Sequence, residues 1–278
     1  MTPIRSGLVG RAILASRSPD LHESEACAQG FALDYELVDF TARGLDDDRL
    51  GPVVRDLAAR GFAGFNVTFP FKQAIVPLLD ELAPSAAAVG AVNTVAVEQG
   101  RLVGHNTDMA GFAEAFRTGL AGVATTRVLQ LGAGGAGAAV AAALLDCGVG
   151  TLEIADVEPA RAAALAERLS ARFGLGRAEA TSLEGLTTAR FDGIVNTTPV
   201  GMAAHPGTPI DPALLEPRHW VADIIYFPRE TALLAAARAR GCRAIDGSGM
   251  VVAQAAIAFG IITGHRADPA RMRESFVD

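Results

Sequence analysis

The sequence predicts an α/β fold in two domains, the first a mostly parallel sheet flanked by helices and the second a separate strand-and-helix repeat. Three observations carry this expectation. The chain has 278 residues, and domains usually run to about 100 to 200. Short apolar runs alternate with helical stretches, the pattern of βαβ units and parallel pairing. A second series of the same kind opens at a glycine cluster just after Arg127.

In chain order, the strand candidates of the first half are Leu8 to Val9, Tyr35 to Phe40, Gly64 to Val67 and Ala91 to Val97. Apolar residues at helical spacing predict helices over Leu50 to Arg60, Lys72 to Leu79 and Met109 to Phe116. A short apolar strand, Val128 to Leu131, then enters the glycines, and the Ala-rich run Ala138 to Leu145 reads as a helix. Further strands are expected at Leu152 to Ala155, Gly193 to Asn196 and Val221 to Ile225. The domain boundary therefore falls between about Gly111 and Arg127, and Met250 to Thr263 forms a late helix.

Half of the residues are apolar and a fifth charged, a balance that sustains a packed core. No run reaches the roughly 18 uncharged residues of a membrane span, and the first residues lack a secretory pattern, so a cytoplasmic protein is expected. The net charge of −7 is spread without basic blocks, which argues against a nucleic-acid partner. Cys27, Cys147 and Cys242 show no metal spacing and lie in Ala-rich segments. They are expected as small buried hydrophobes, with neither disulfides nor a metal.

Gly132-Ala133-Gly134-Gly135-Ala136-Gly137 fits G-x-G-x-x-G with a strand before it and a helix after it. Gly132 permits a tight turn, Gly134 a close backbone approach to a pyrophosphate, and Gly137 close packing of helix on strand. Asp156 ends the next strand, at the separation where a carboxylate meets the adenosine ribose and repels a 2′-phosphate. These features predict a Rossmann-type NAD-binding domain, although Asp156 also suits a helix cap, and Arg161 supplies a nearby positive charge that weakens discrimination against NADP.

Four polar clusters precede Arg127. Ser16 and Ser18 sit two residues apart before Pro19, able to share a carboxylate or to cap a helix. Asn66, Thr68 and Lys72 interleave with apolar residues at a strand end, with Lys72 an acid/base candidate or an ordinary surface charge. Asn93 suits a hydroxyl partner. Asp108 suits either a pair with Lys72 or a cap for the helix after it.

Taken in order, Ser-x-Ser-Pro, Asn-Val-Thr-x-Pro-x-Lys, Gly-Ala-Val-Asn-Thr, Asn-Thr-Asp-x-x-Gly-Phe, the glycine loop and Asp-Gly-x-Gly-Met-x-x-x-Gln-Ala resemble the shikimate dehydrogenase family over nearly the whole chain. The resemblance implies that Ser16 and Ser18 hold a substrate carboxylate, that Asn66, Thr68, Asn93 and Gln254 bind ring hydroxyls, and that Lys72 and Asp108 form the catalytic pair. It further implies a cofactor-edge loop at Asn196 to Met202, within which Thr198, Pro199, Val200, Gly201 and Met202 contact the cofactor, with Ile224, Tyr226, Gly247 and Met250 near the nicotinamide or substrate. The C-terminal helices are expected to return to the first domain, giving a substrate domain of 1–110 joined by 248–278 and a cofactor domain of 111–247.

Asp156-Val157-Glu158 stands where NADP-using members of that family carry an Asn-Arg-Thr-like string, and resembles instead the NAD-using quinate/shikimate branch. Met202 to Thr208 and Arg271 to Phe276 resemble that branch too. His22-Glu23 and Phe71 depart from the family's commoner residues. The implied activity is reversible NAD-dependent oxidation of shikimate, and of quinate beside it, by a monomer or homodimer. Ser18 in place of threonine favours shikimate. The competing readings are an NADP-dependent or aminoshikimate enzyme of the same fold, and a non-catalytic NAD-binding sensor.

Overall fold

The structure, a computed structural model, describes residues 2–277 and divides into two compact units, Met1–Gly111 with Val252–Asp278, and Phe112–Val251. In the first unit the chain runs β1 (Ile4–Gly10), α1 (Ser18–Ala28), β2 (Leu33–Asp39), α2 (Leu50–Ala59), β3 (Gly64–Val67), α3 (Phe71–Ala74), β4 (Glu81–Leu82), α4 (Pro84–Val89), β5 (Thr94–Glu98) and β6 (Arg101–His105). The sheet order is β2-β1-β3-β5-β6-β4. Pairing is parallel for β1 with β2, β1 with β3 and β4 with β6, and antiparallel for β3 with β5 and β5 with β6.

Two expectations need correction here. The stretch Lys72 to Leu79 is not one helix: α3 is a single turn and a 3-10 turn follows at Val76–Leu78, because Pro77 has no N–H to continue an α-helix. The late strand is a hairpin, β5 and β6, joined by Gln99 and Gly100, both at positive φ. That geometry belongs to the tight turns whose twist matches paired strands.

The core of this unit gathers Val9, Phe40, Val54, Phe65, Phe71, Ile75, Val95 and Leu102, all essentially inaccessible to solvent. Each such side chain contributes about 1.5–3 kcal/mol of burial free energy. Phe71 packs 4.6 Å from Phe40, ring to ring, and so fixes the turn that carries Lys72.

Helix α5 (Asp108–Gly119) begins in the first unit, and the second continues with β7 (Arg127–Leu131), α6 (Gly135–Asp146), β8 (Thr151–Ala155), α7 (Pro159–Phe173), β9 (Ala178–Ala180), β10 (Gly193–Asn196), β11 (Trp220–Asp223), α8 (Ala232–Ala239) and β12 (Arg243–Ile245). All its strands pair in parallel, in the order β12-β11-β10-β7-β8-β9. Strand order reverses between β7 and β10, the switch point where doubly wound sheets bind ligands. Residues 137–145 of α6 are buried on every side, as an interior helix requires. Leu129, Leu131, Phe191, Ile194, Val221 and Leu234 form a core of this unit.

Helices α9 (Ser248–Thr263) and α10 (Pro269–Val277) complete the described chain. Within the first unit, α10 lies against α1, tied by Arg271 Nε and Nη2, each 2.7 Å from a Glu25 carboxylate oxygen. The cysteines correct another expectation: only Cys242 is buried, whereas Cys147 is half-buried and Cys27 exposed, all three as free thiols. No described helix is long and apolar enough to cross a membrane.

Candidate active site

The first unit assembles most of the predicted polar residues. Register places Asn66 beside Leu8 on the neighbouring strand and beside Thr94 across the antiparallel pair. Ser16 and Ser18 sit at the head of α1, their hydroxyls 3.1 Å apart, and the Ser18 N–H donates to Ser16 Oγ. The helix therefore does not take its cap in the expected way: the residue before it, Arg17, makes no capping hydrogen bond. Both hydroxyls lie at the positive end of the helix.

Lys72 and Asp108 pair with Nζ 2.5 Å from Oδ2, and both side chains are largely buried, 17% and 5% exposed. A shielded ion pair of this kind differs from a surface bridge, where solvent screens most of the attraction. Asp108 is aimed by a cross-tie between two loops. Asn93 Oδ1 accepts from the Thr107 N–H at 2.8 Å, and Asn93 Nδ2 donates to Thr107 Oγ1 at 2.8 Å. Asn106 Nδ2 donates to the Ala91 carbonyl, and its Oδ1 accepts from the Met109 N–H. Gln254, from α9, receives hydrogen bonds at Oε1 from Asn93 Nδ2 and Thr107 Oγ1, each at 3.3 Å. Thr68 is held by its backbone N–H on the Val9 carbonyl, at the head of the turn carrying Lys72. Of the residues assigned to substrate or catalysis, only Tyr226 lies in the second unit, just past β11, its hydroxyl pushed up in pKa by burial.

The second unit builds a dinucleotide loop. Gly132 has φ +102°, and a Cβ there would stand 2.7 Å from Thr197 Oγ1. A Cβ on Gly137 would stand 2.6 Å from the Gly132 carbonyl, whereas around Gly134 there is open space. The two closed glycines bring helix and strand together and the open one leaves room for a phosphate, so the residues present fit a nicotinamide dinucleotide. Gln130, which sequence reasoning did not single out, is fully buried and donates through Nε2 to the Gly132 and Gly137 carbonyls, 2.9 Å each. Gly135 and Ala136 form the first turn of α6, beside Ala133, whose N–H donates to Asp156 Oδ2 at 2.7 Å. Asp156 Oδ1 accepts the Glu158 N–H at 2.9 Å. Arg161 Nη2 lies 2.8 Å from Glu158 Oε1 in an exposed pair.

The loop after β10 is knotted through Asn196. Its Nδ2 donates to the Val200 carbonyl and to Asp223 Oδ1, and its Oδ1 accepts the N–H and hydroxyl of Thr198. Gly201 follows Pro199 and Val200 at φ +119°, leaving Met202 part-exposed. Burial pushes the Asp223 carboxyl up in pKa despite donors from the Ile225 N–H, Thr231 and Asn196. Gly247 lies so near the Ile224 carbonyl that a Cβ would fall 2.0 Å from it, and Met250 is buried one turn on. Asp223 and Gln130 were not foreseen: Asp223 meets Asn196 on the neighbouring strand, and Gln130, although its partners Gly132 and Gly137 are local, stands outside the glycine string. A polar residue inside an otherwise apolar strand was the available signal.

Comparison with known proteins finds relatives along nearly the whole chain. Residues 8–95 match the shikimate dehydrogenase substrate binding domain. Shikimate dehydrogenase (NADP(+)) of Pseudarthrobacter chlorophenolicus is 50% identical over 98% of this chain and 94% of its own length. Quinate/shikimate dehydrogenase (NAD(+)) of Corynebacterium efficiens is 47% identical over 98% and 96%. Among solved structures, quinate dehydrogenase from Corynebacterium glutamicum in complex with NAD superimposes with a TM-score of 0.91 at 43% identity, covering 99% of each chain. With whole-length matches at these identities, the chain belongs to the shikimate dehydrogenase family of oxidoreductases.

Proposed function

We propose that the protein catalyses the reversible NAD-dependent oxidation of shikimate, and of quinate beside it, to the 3-dehydro ketone. The observation that carries the reading is the shielded Lys72–Asp108 pair among Ser16, Ser18, Asn66, Asn93 and Gln254. Ser16 and Ser18 receive the carboxylate at the head of α1, where N–H groups and helix dipole favour an anion. Asn66, Thr68, Asn93 and Gln254 meet the ring hydroxyls. In oxidation the ring carbon loses hydride as its hydroxyl loses a proton, the C–H and O–H bonds breaking while C=O forms. Lys72 Nζ, as the neutral amine, takes that proton and becomes the ammonium paired with Asp108; in the reverse direction that ammonium returns the proton to the ketone oxygen, and Asp108 keeps Nζ aimed. A bound nicotinamide dinucleotide supplies the two-electron acceptor. Gly132 to Ala136 would hold its pyrophosphate, Thr198 to Met202 its edge, and Ile224, Tyr226, Gly247 and Met250 the region of the nicotinamide.

The choice of NAD rests on Asp156. A 2′-phosphate beside Asp156 meets a carboxylate, while the nearby Arg161 pairs with Glu158 at the surface. The relatives carry both cofactor names, so the decisive assay crosses shikimate and quinate with NAD and NADP and reads initial rates of nicotinamide reduction. Faster turnover with NAD is expected. Dominant NADP use overturns the cofactor assignment and leaves the dehydrogenase. Silence in all four assays removes the function.

A further inference from the structure

Tyr35, Asn66, Thr94 and Asn93 of the first unit do not stand as separate groups; they form one chain of hydrogen bonds with a direction. Tyr35, on β2 and 5% exposed, gives its own proton to Asn66 Oδ1 at 2.8 Å. Asn66 Nδ2 donates to Thr94 Oγ1 at 3.0 Å and to the Asn93 carbonyl at 3.3 Å. Thr94 Oγ1 donates onward to Asn93 Oδ1 at 3.2 Å. Each hydroxyl has a single proton, so every link fixes the next.

For Asn66 the consequence is a defined polarity. Both amide hydrogens are consumed within the protein, and one acceptor site of Oδ1 is taken by Tyr35. What remains is the second acceptor site of Oδ1. A ligand hydroxyl reaching Asn66 must therefore donate to it. The Asn93 carbonyl and Thr94 Oγ1 hold Nδ2 on one side and the Tyr35 proton holds Oδ1 on the other, so without Tyr35 one of the contacts that keep the amide from turning over is lost.

We infer that Tyr35 is a positioning residue that helps lock Asn66 as a hydrogen-bond acceptor, so that the unit selects a polyhydroxylated ring acid whose hydroxyl donates at Asn66. This rests on the proposed reading of Asn66 as a substrate contact. Tyr35 is held for the purpose from both sides: its N–H donates to Glu23 Oε1 at 2.9 Å, and its ring lies 4.8 Å from that of His22.

The test is steady-state kinetics on Tyr35→Phe, which removes one oxygen and keeps the ring, with Asn66→Ala and the double variant. Loss of one neutral hydrogen bond predicts a rise of about five- to tenfold in KM for shikimate. The expected kcat stays within about twofold, and KM for NAD is unchanged. In the Asn66→Ala background the Tyr35→Phe effect should vanish, because Tyr35 acts through Asn66. Thr94→Val, which breaks the chain on the other side of Asn66, should raise KM in the same way and be equally non-additive. An unchanged KM in both single variants overturns the inference, as does an effect that persists undiminished without Asn66. Wild-type protein that turns over shikimate while the variants behave so leaves the functional reading intact. Wild-type protein that turns over neither acid overturns both.

Discussion

Lys72 is an unusual lysine because its ammonium group is mostly withdrawn from water and held by one carboxylate, Asp108. If it moves the proton, Lys72→Ala lowers kcat by about 10²- to 10⁴-fold; a change confined to KM would make it a binding group. His22, behind Tyr35, has a different consequence. Burial holds its imidazole down at about 4, and Nδ1 has no hydrogen-bond partner among the described residues. The unfolded chain protonates this group near 6.5 and the folded one near 4, so acid favours unfolding across that interval. Stability should fall by roughly 2 kcal/mol between neutral pH and pH 5 from His22 alone. Urea midpoints at pH 7.5 and 5 check this: the gap should shrink in His22→Leu, and an equal gap there removes His22 as the cause. Asp39 contributes in a lower window. Burial raises its carboxyl, but four backbone N–H donors outweigh that and hold it below the ordinary range. Its contribution is present above the unfolded value and lost as pH falls through the folded one.

Among the elements, the contact of α10 with α1 depends on one buried acid. The Glu25 side chain has no solvent exposure, while Arg271 keeps 41%. Removing the arginine leaves the buried carboxylate with only the Gln29 amide and the Asp268 N–H, both on Oε1, and Arg271→Ala is expected to cost about 2 kcal/mol after allowance for those donors and the exposed partner. Urea unfolding reads the loss, and Glu25→Gln in the same chain should recover part of it. A cost under about 0.5 kcal/mol would mean that water already screens the pair. The elements most legible in the sequence were those whose cause is local. Strand β7, the glycine turn and α6 follow from contiguous residues with a switch of period at Gly132. The hairpin strand β6 was not legible, since Arg101 to His105 is short and its turn, Gln99-Gly100, lacks the usual Asn-Gly signal. The helix expected at Lys72 to Leu79 failed at Pro77, a breaker that periodicity alone passed over. The proposed site residues stand in recognisable strings; Tyr35 and Asp223 do not, and their partners Asn66 and Asn196 lie on other strands, while Gln130 meets the local Gly132 and Gly137 from outside the glycine string.

At the scale of the molecule, the two units hold different ligands in the proposed function, and this division is measurable. Hydrogen exchange with shikimate alone should protect amides among residues 2–111 and 252–277, and NAD alone those of residues 112–251. Protection of the second unit by shikimate alone, other than at Tyr226, would contradict the division. The discontinuity of the first unit also has a consequence for how the protein comes into being. Residues 2–111 leave the ribosome first, yet the segment that completes their unit begins at Val252, after the whole of the second unit has been made. Until then Glu25 has no Arg271 and Asn93 no Gln254. The parallel sheet of residues 112–251 is contiguous and can close while the earlier segment waits, so the half of the protein proposed to bind the cofactor is able to finish folding before the half that carries Lys72.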